Sequence, residues 1–283
     1  MSAIILSGVE LSAQYRSKIA IESYELQNKH QIVPRLVVIL IGDFAPSQIY
    51  VAHKEKACRD VGIICDIYRH DSTITEAQLI RQIEQLNQDR SVHGILIQLP
   101  LPVHINVDHI IEKIDPNKDV DGFHPYNLGL LALGIPKLRA CTPYGIMQLL
   151  QAYNIDVKSK DALIIGKSRI VGLPMALELL MHQATVTTCH SETLQLQDKI
   201  KNHELIIVAT GHRNVIAEDS FMPHHTIIDV GIHRINNQIC GDVDYHYAHS
   251  RVAAISPVPG GVGPMTITAL LQNILCAIQL QNA

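Results

Sequence analysis

Tryptophan is absent from this chain, and aromatic residues of all kinds make up only 4% of its 283 residues. Few stacking platforms are therefore on offer to bases. Positive charge is also sparse: the formal net charge is −4 and no basic stripe stands out, which argues against nucleic acid as a partner. Sixteen histidines are present, but no H-E-x-x-H or comparable ligand spacing is, and the adjacent His224 and His225 suit a loop; no metal is expected. The six cysteines form no C-x-x-C pair and lie in or beside apolar segments, as buried thiols of a reducing compartment would. The start of the chain carries no basic residue and only a short apolar run, unlike a secretory signal. No stretch reads as the roughly 18 apolar residues of a membrane span. A cytoplasmic protein with no membrane partner is the expectation.

What is present is apolar. Hydrophobic residues make up 47% and charged residues 18%, a balance that suits buried parallel strands. The length exceeds that of a usual single domain. Apolar runs alternate with amphipathic stretches: a strand from Arg35 to Ile41, a helix from Ser47 to Val61, a strand from Ile63 to Tyr68, a helix from Thr75 to Gln88 and a strand from Gly94 to Leu99. Such alternation means βαβ units and a parallel sheet. Residues 115–143 read as a long irregular segment, then a second alternating set begins at Asp161 and a last helix runs from about Met265. The expected fold class is α/β, with two α/β lobes flanking a cleft, the second lobe a Rossmann-like dinucleotide-binding domain. The expected boundaries are 1–139 for the catalytic lobe, completed by the C-terminal helix 265–283, and 140–264 for the nucleotide lobe.

Chemistry-bearing residues cluster just after the apolar runs, where ligands bind in such sheets. Tyr50 and Lys54 are four residues apart and share a helix face. A phenol beside an amine could seat a ring and move a proton; a solvated lysine beside a half-buried tyrosine is the alternative. A lysine acting as a base must be desolvated or placed near another cation. Gln98 ends an otherwise apolar strand, and its amide needs partners, supplied either by Lys54 or by loop backbone. Asp119 and Asp121 precede Gly122; Asp121 could accept hydrogen bonds from a heterocycle's amino group and ring nitrogens, or make an Asx-turn. Gly166-Lys167-Ser168-Arg169 leads from a strand into a helix near Pro174, whose first N–H groups could receive phosphates, although the spacing is neither G-x-G-x-x-G nor a P-loop. The next strand ends at Cys189-His190-Ser191-Glu192, where a Rossmann unit meets the adenosine ribose. Ser191 and Lys167 point to a 2′-phosphate there, and Glu192 to a free hydroxyl. Ser256 to Thr266 is dense in Pro and Gly: a stiff loop that could approach a flat ligand, or an interdomain linker.

Taken together and in order, Tyr50–Lys54, Gly94–Pro102, Asp119–Phe123, Gly166–Pro174, Cys189–Ser191 and Pro259–Thr266 closely resemble the bifunctional methylenetetrahydrofolate dehydrogenase / methenyltetrahydrofolate cyclohydrolase family, over nearly the whole chain. The resemblance implies oxidation of 5,10-methylenetetrahydrofolate to 5,10-methenyltetrahydrofolate with NADP, then hydrolysis to 10-formyltetrahydrofolate. It implies Lys54 as the catalytic lysine, Tyr50 against the p-aminobenzoyl ring, Gln98 tuning Lys54 and Asp121 binding the pterin. Ser47, Leu99, Pro259, Gly260 and Gly261 join these on the substrate side, and Gly166, Lys167, Ser168, Ser191 and Ile232 line the dinucleotide site. It also implies tetrahydrofolate derivatives as partners and a homodimer joined through the nucleotide domains. Two departures stand out. The family usually has Arg at the position of Lys167, and often a basic residue at that of Glu192; Arg grips a phosphate by two parallel hydrogen bonds and Lys does not. A dehydrogenase on another small substrate and a non-enzymatic nucleotide or folate sensor are the competing readings.

Overall fold

The computed structural model describes residues 2–236 and 238–282. In chain order the elements are β1 (Ile4–Ile5), α1 (Gly8–His30), β2 (Arg35–Ile41), α2 (Ala45–Asp60), β3 (Ile64–His70), α3 (Glu76–Gln88), β4 (Gly94–Ile97), α4 (Val107–Glu112), α5 (Pro125–Ala132), α6 (Cys141–Ala152), β5 (Asp161–Ile165), α7 (Gly172–Met181), β6 (Thr185–Cys189), α8 (Leu196–Lys201), β7 (Leu205–Val208), a 3-10 turn (Glu218–Ser220), β8 (Thr226–Asp229), β9 (His233–Ile235), β10 (Gln238–Cys240), α9 (Tyr245–Ala248), β11 (Ala254–Ile255) and α10 (Val262–Gln281). They form two units. One holds Met1–Ala13 and Thr142–Ala269, the other Gln14–Cys141 and Leu270–Ala283.

In the Gln14–Cys141 unit a parallel three-stranded sheet runs β3-β2-β4. Strand β2 is central, and Leu36 to Ile41 are all buried, which is why it reads as an unbroken apolar run. Helix α3 lays Leu79, Ile83 and Leu86 on one face against Val37, Ile39, Ile95 and Ile97. Its start is set by a capping box, Thr75 with Gln78, which satisfies two orphan N–H groups. The segment 115–124 then runs beside β4: Ile95 N–H donates to the Lys118 carbonyl, and Ile95 bridges Asp119. That approach requires Gly94, because a Cβ there would lie 2.7 Å from the Val120 side chain. The segment read as irregular thus contains α5 and the start of α6, and its Asp119 is held to the sheet.

The Thr142–Ala269 unit is built on a six-stranded sheet of order β1-β11-β8-β7-β5-β6, parallel throughout. The order reverses at β5, with β6 on one side and β7 on the other, so the switch point lies at the end of β5, beside Gly166. The N-terminal residues differ from the expected boundary at 139. Strand β1 pairs with β11 and therefore belongs to this sheet, because Ile4 N–H and Leu6 N–H donate to the Ala253 and Ile255 carbonyls. The last helix also begins earlier than Met265, inside the Pro/Gly-rich stretch. Helix α10 corrects a further expectation: it is long and apolar enough to cross a membrane, but most of it, 61% of that window, is buried inside the protein, as in a core helix.

His225 lies in this unit's interior, fully buried, and that burial, aided by the neighbouring His224, lowers its imidazole to about 4. The unfolded chain protonates this histidine near 6.5. Its contribution is therefore complete above pH 6.5 and is lost as pH falls toward 4, about 3 kcal/mol over the window. A His225→Leu variant should show a flatter fall in stability from pH 6.5 to 4 in denaturant titrations; an unchanged slope would rule the assignment out.

Candidate active site

Helix α2 starts after Gly42, with Pro46 in its first turn. Its buried residues Ser47, Val51, Ala57 and Cys58 face the sheet. Tyr50 and Lys54 lie at the border of that face, both half-buried. Burial raises the Tyr50 phenol above its usual range. Lys54 is not the solvated lysine of the alternative reading: its Nζ donates to Gln98 Oε1 at 3.1 Å. The Gln98 amide is then filled at both ends, for Nε2 donates to the Leu99 carbonyl at 3.0 Å. Both alternatives weighed for this amide thus hold together. Ser47 Oγ donates to the same Leu99 carbonyl at 3.2 Å, and the Leu99-Pro100 peptide is cis. The turn after β4 is thereby tied to the first turn of α2.

The two aspartates divide their labour. Asp119 is buried and accepts from Phe123 N–H at 3.2 Å, His124 N–H at 2.8 Å and Asn127 Nδ2 at 2.9 Å. It is a structural carboxylate that folds its own loop. Asp121 makes no such turn. Its carboxyl is raised by desolvation, and the Lys54 charge pulls it back down. Lys54 is thus the cation felt most at Asp121. Behind it, Cys141 Sγ donates to the Val120 carbonyl at 3.2 Å, and Asn273 Nδ2 to the Val120 and Arg139 carbonyls at 2.8 and 2.7 Å. Gly122, at φ +75°, has the Arg139–Ala140 backbone against it, with no room for a Cβ. Asn127, Cys141 and Asn273 were not singled out in the sequence; an Asn inside the apolar last helix was the one signal for Asn273.

In the other unit, β5 ends at Gly166, φ +123°, where a Cβ would sit 2.2 Å from the Ala209 carbonyl oxygen; a Cβ on Gly172 would sit 2.0 Å from that of Gly166. Ser168 Oγ accepts from Val171 and Gly172 N–H at 3.2 and 3.4 Å, shaping the entry to α7. This glycine-lined cradle, with its exposed helix entry, fits the phosphates of a dinucleotide.

A family description, tetrahydrofolate dehydrogenase/cyclohydrolase, catalytic domain, matches residues 6–121, and its companion, the NAD(P)-binding domain, matches residues 140–282. The chain belongs to the tetrahydrofolate dehydrogenase/cyclohydrolase family. The bifunctional protein FolD of Legionella pneumophila (strain Corby) is 51% identical over 276 residues, 97% of each chain. The crystal structure of bifunctional FolD from Campylobacter jejuni is similar at a TM-score of 0.96 and 45% identity, over 99% of this chain and 100% of that one. FolD of Trypanosoma brucei, in complex with NADP cofactor and inhibitor, is similar at a TM-score of 0.95 and 30% identity, over 100% and 99%. The family and the α/β fold expected from the sequence both stand.

Within the family's pattern, the cofactor-side residues are placed as follows. Lys167 and Ser191 are exposed, and Ile232 is 50% exposed after β8. Ser191 Oγ donates to Glu192 Oε1 at 3.3 Å, so the departing carboxylate lies on the retained serine. Pro259, Gly260 and Gly261 belong to the same unit as these residues, not to that of Lys54. Gly260, φ +102°, accepts Gly8 N–H at 2.8 Å, and Gly261 donates to the Pro257 carbonyl at 2.8 Å, so the loop packs on the start of α1.

Proposed function

We infer that this chain oxidises 5,10-methylenetetrahydrofolate to the methenyl form with NADP and hydrolyses that product to 10-formyltetrahydrofolate. The observation that carries the reading is the Lys54–Gln98 hydrogen bond, with the charge of the same lysine lowering the Asp121 carboxyl. Tyr50 offers a half-buried phenol face for the p-aminobenzoyl ring. Asp121 accepts from the pterin's amino group and ring N–H, a pairing that favours its ionised form. Gln98 Oε1 holds Lys54 Nζ in one direction, toward the one-carbon unit. There Nζ holds or passes the proton exchanged when the five-membered ring opens and closes, and steadies the water that attacks the methenyl carbon. Ser47 and Leu99 keep the turn between α2 and β4 in place. Gly166, Lys167, Ser168, Ser191 and Ile232 would hold NADP, which when bound accepts the hydride from the methylene carbon.

Two assays test the reading. Reduced-nicotinamide absorbance should grow with methylenetetrahydrofolate and NADP, and methenyl absorbance should decay without cofactor; no turnover in either would overturn it. A homodimer through the nucleotide units is proposed with it, supported by exposed Leu173, Leu180 and Leu194 on α7 and just after strand β6 at the sheet edge, and sedimentation at the single-chain mass would exclude it. Free cysteines suit a reducing cytoplasm, the proposed location.

Glu192 bears on cofactor choice. A carboxylate close to a 2′-phosphate opposes it by about 1 kcal/mol across water. Glu192→Gln should therefore raise the kcat/KM ratio of NADP over NAD about fivefold. An unchanged ratio in paired initial-rate measurements would clear Glu192 of this role.

A further inference from the structure

Two buried carboxylates lie under the carboxyl ends of β7 and β8, and neither takes part in the chemistry above. Asp229 closes β8. It accepts from Gly231 N–H at 2.9 Å, Asp242 N–H at 3.0 Å and Val243 N–H at 2.9 Å, and its own N–H donates to Ser256 Oγ at 2.8 Å. Asp242, fully buried, accepts from Thr210 N–H at 2.7 Å, Thr210 Oγ1 at 2.8 Å and Gly211 N–H at 2.9 Å, and its other oxygen meets His233 Nε2 at 2.7 Å. The two loops are crossed. A Cβ on Gly231 would strike Asp242 Oδ1 at 2.1 Å, and a Cβ on Gly241 would strike Asp229 Oδ2 at 1.9 Å.

The loops so tied border the dinucleotide cradle. Thr210 and Gly211 follow Ala209, whose carbonyl is the atom Gly166 packs against, and Ile232 lies between Gly231 and His233. In a parallel sheet these strand ends are where the cofactor binds. A carboxylate with four polar contacts from two loops fixes those loops relative to each other, and each contact to a charged acceptor is stronger than a neutral one. The His233 side chain is partly accessible, 21% exposed, while Asp242 is fully buried.

We propose that Asp242, through Thr210 and His233, is a positioning residue for the dinucleotide site: it holds the loop after β7 and the loop carrying Ile232 in the shape that binds NADP. The proposal rests on the dehydrogenase reading above.

Asp242 itself is buried among donors, and its removal risks misfolding. The test therefore uses its partners: His233→Ala, Thr210→Val, the pair combined, and the conservative His233→Gln, whose amide can still donate to Asp242. Four quantities are measured on the full chain: NADP affinity by direct titration, KM for NADP, kcat of the dehydrogenase, and the cofactor-free cyclohydrolase rate. His233→Ala and Thr210→Val should each weaken NADP binding and raise its KM about tenfold, the loss expected for one hydrogen bond to a charged group. The pair should lose more than either alone, and His233→Gln should recover most of the binding. The cyclohydrolase rate should stay within twofold. Unchanged NADP affinity in both single variants would overturn the proposal, and so would a parallel fall in cyclohydrolase rate, which would mean general damage. A wild-type protein that binds NADP but oxidises no methylenetetrahydrofolate would instead defeat the dehydrogenase reading, and the affinity comparison would still decide the role of Asp242.

Discussion

Replacing Lys54 by Met should lower the cyclohydrolase rate by about 10²- to 10⁴-fold, the range that a positioned proton-transfer group supplies. The substitution is close to isosteric, and Lys54 is half-buried, so the aliphatic part of its packing survives. One hydrogen bond is lost and Gln98 Oε1 is left without its ammonium partner, a cost of about 1–3 kcal/mol. The fold should therefore persist, and a thermal melt on the same sample separates loss of chemistry from loss of structure. The Asp121 carboxyl should also move. Lys54 is what holds it down against desolvation, so without that charge it titrates at higher pH. NADP affinity should be unaffected, since the dinucleotide cradle belongs to the other unit. A Lys54→Met enzyme that retained cyclohydrolase activity within a few-fold of wild type would remove the lysine from the mechanism.

Gly166→Ala should produce the opposite pattern. The glycine sits at φ +123°, where side chains are strained, and the Cβ would meet a backbone oxygen, that of Ala209, at 2.2 Å. No flexible side chain can give way, so the end of β5 or of β7 must move. Backbone strain of this kind costs about 1–3 kcal/mol on its own. A shift of about 1 Å in a positioned group is enough to lose about 100-fold in rate. The dehydrogenase should therefore lose at least about 100-fold in kcat/KM for NADP, and the melting temperature should fall. The cofactor-free cyclohydrolase rate should stay within a few-fold, because Lys54, Gln98 and Asp121 lie in the Gln14–Cys141 unit. Normal KM for NADP in this variant would show that the cradle does not receive the dinucleotide. Together the two variants should separate the two activities on one chain.

Much of the architecture was legible in the primary structure, for physical reasons. The runs that became β2, β5 and β7 are buried on both faces, so no polar residue interrupts them, and their bounds are readable to within a residue. Helix α3 announced itself by its cap and by Leu79, Ile83 and Leu86 at helical spacing. Less legible were the elements whose stability comes from distant partners. Strand β1 has two residues and no pattern of its own; it exists because β11, some 250 residues away, supplies its hydrogen bonds. The antiparallel strands β9 and β10 and the helix α5 were hidden in stretches rich in polar and turn-forming residues.

The site shows the same division. Sequence alone determined the fold class and the family, because six short motifs in one order constrain a chain far more than any one of them does. It also placed Tyr50 and Lys54 on one helix face, since the helical repeat is a local property. Tertiary structure alone decided that both partners weighed for the Gln98 amide are engaged, Lys54 across 44 positions of chain and the Leu99 carbonyl beside it, and which of two neighbouring aspartates is spent on folding its loop. It alone showed Asn273 pinning the Val120 carbonyl from 153 positions away, and Asp242 as the acceptor that four polar groups share. A buried polar group must find its partners wherever the chain brings them, and that matching is a property of the packed molecule rather than of any segment of it.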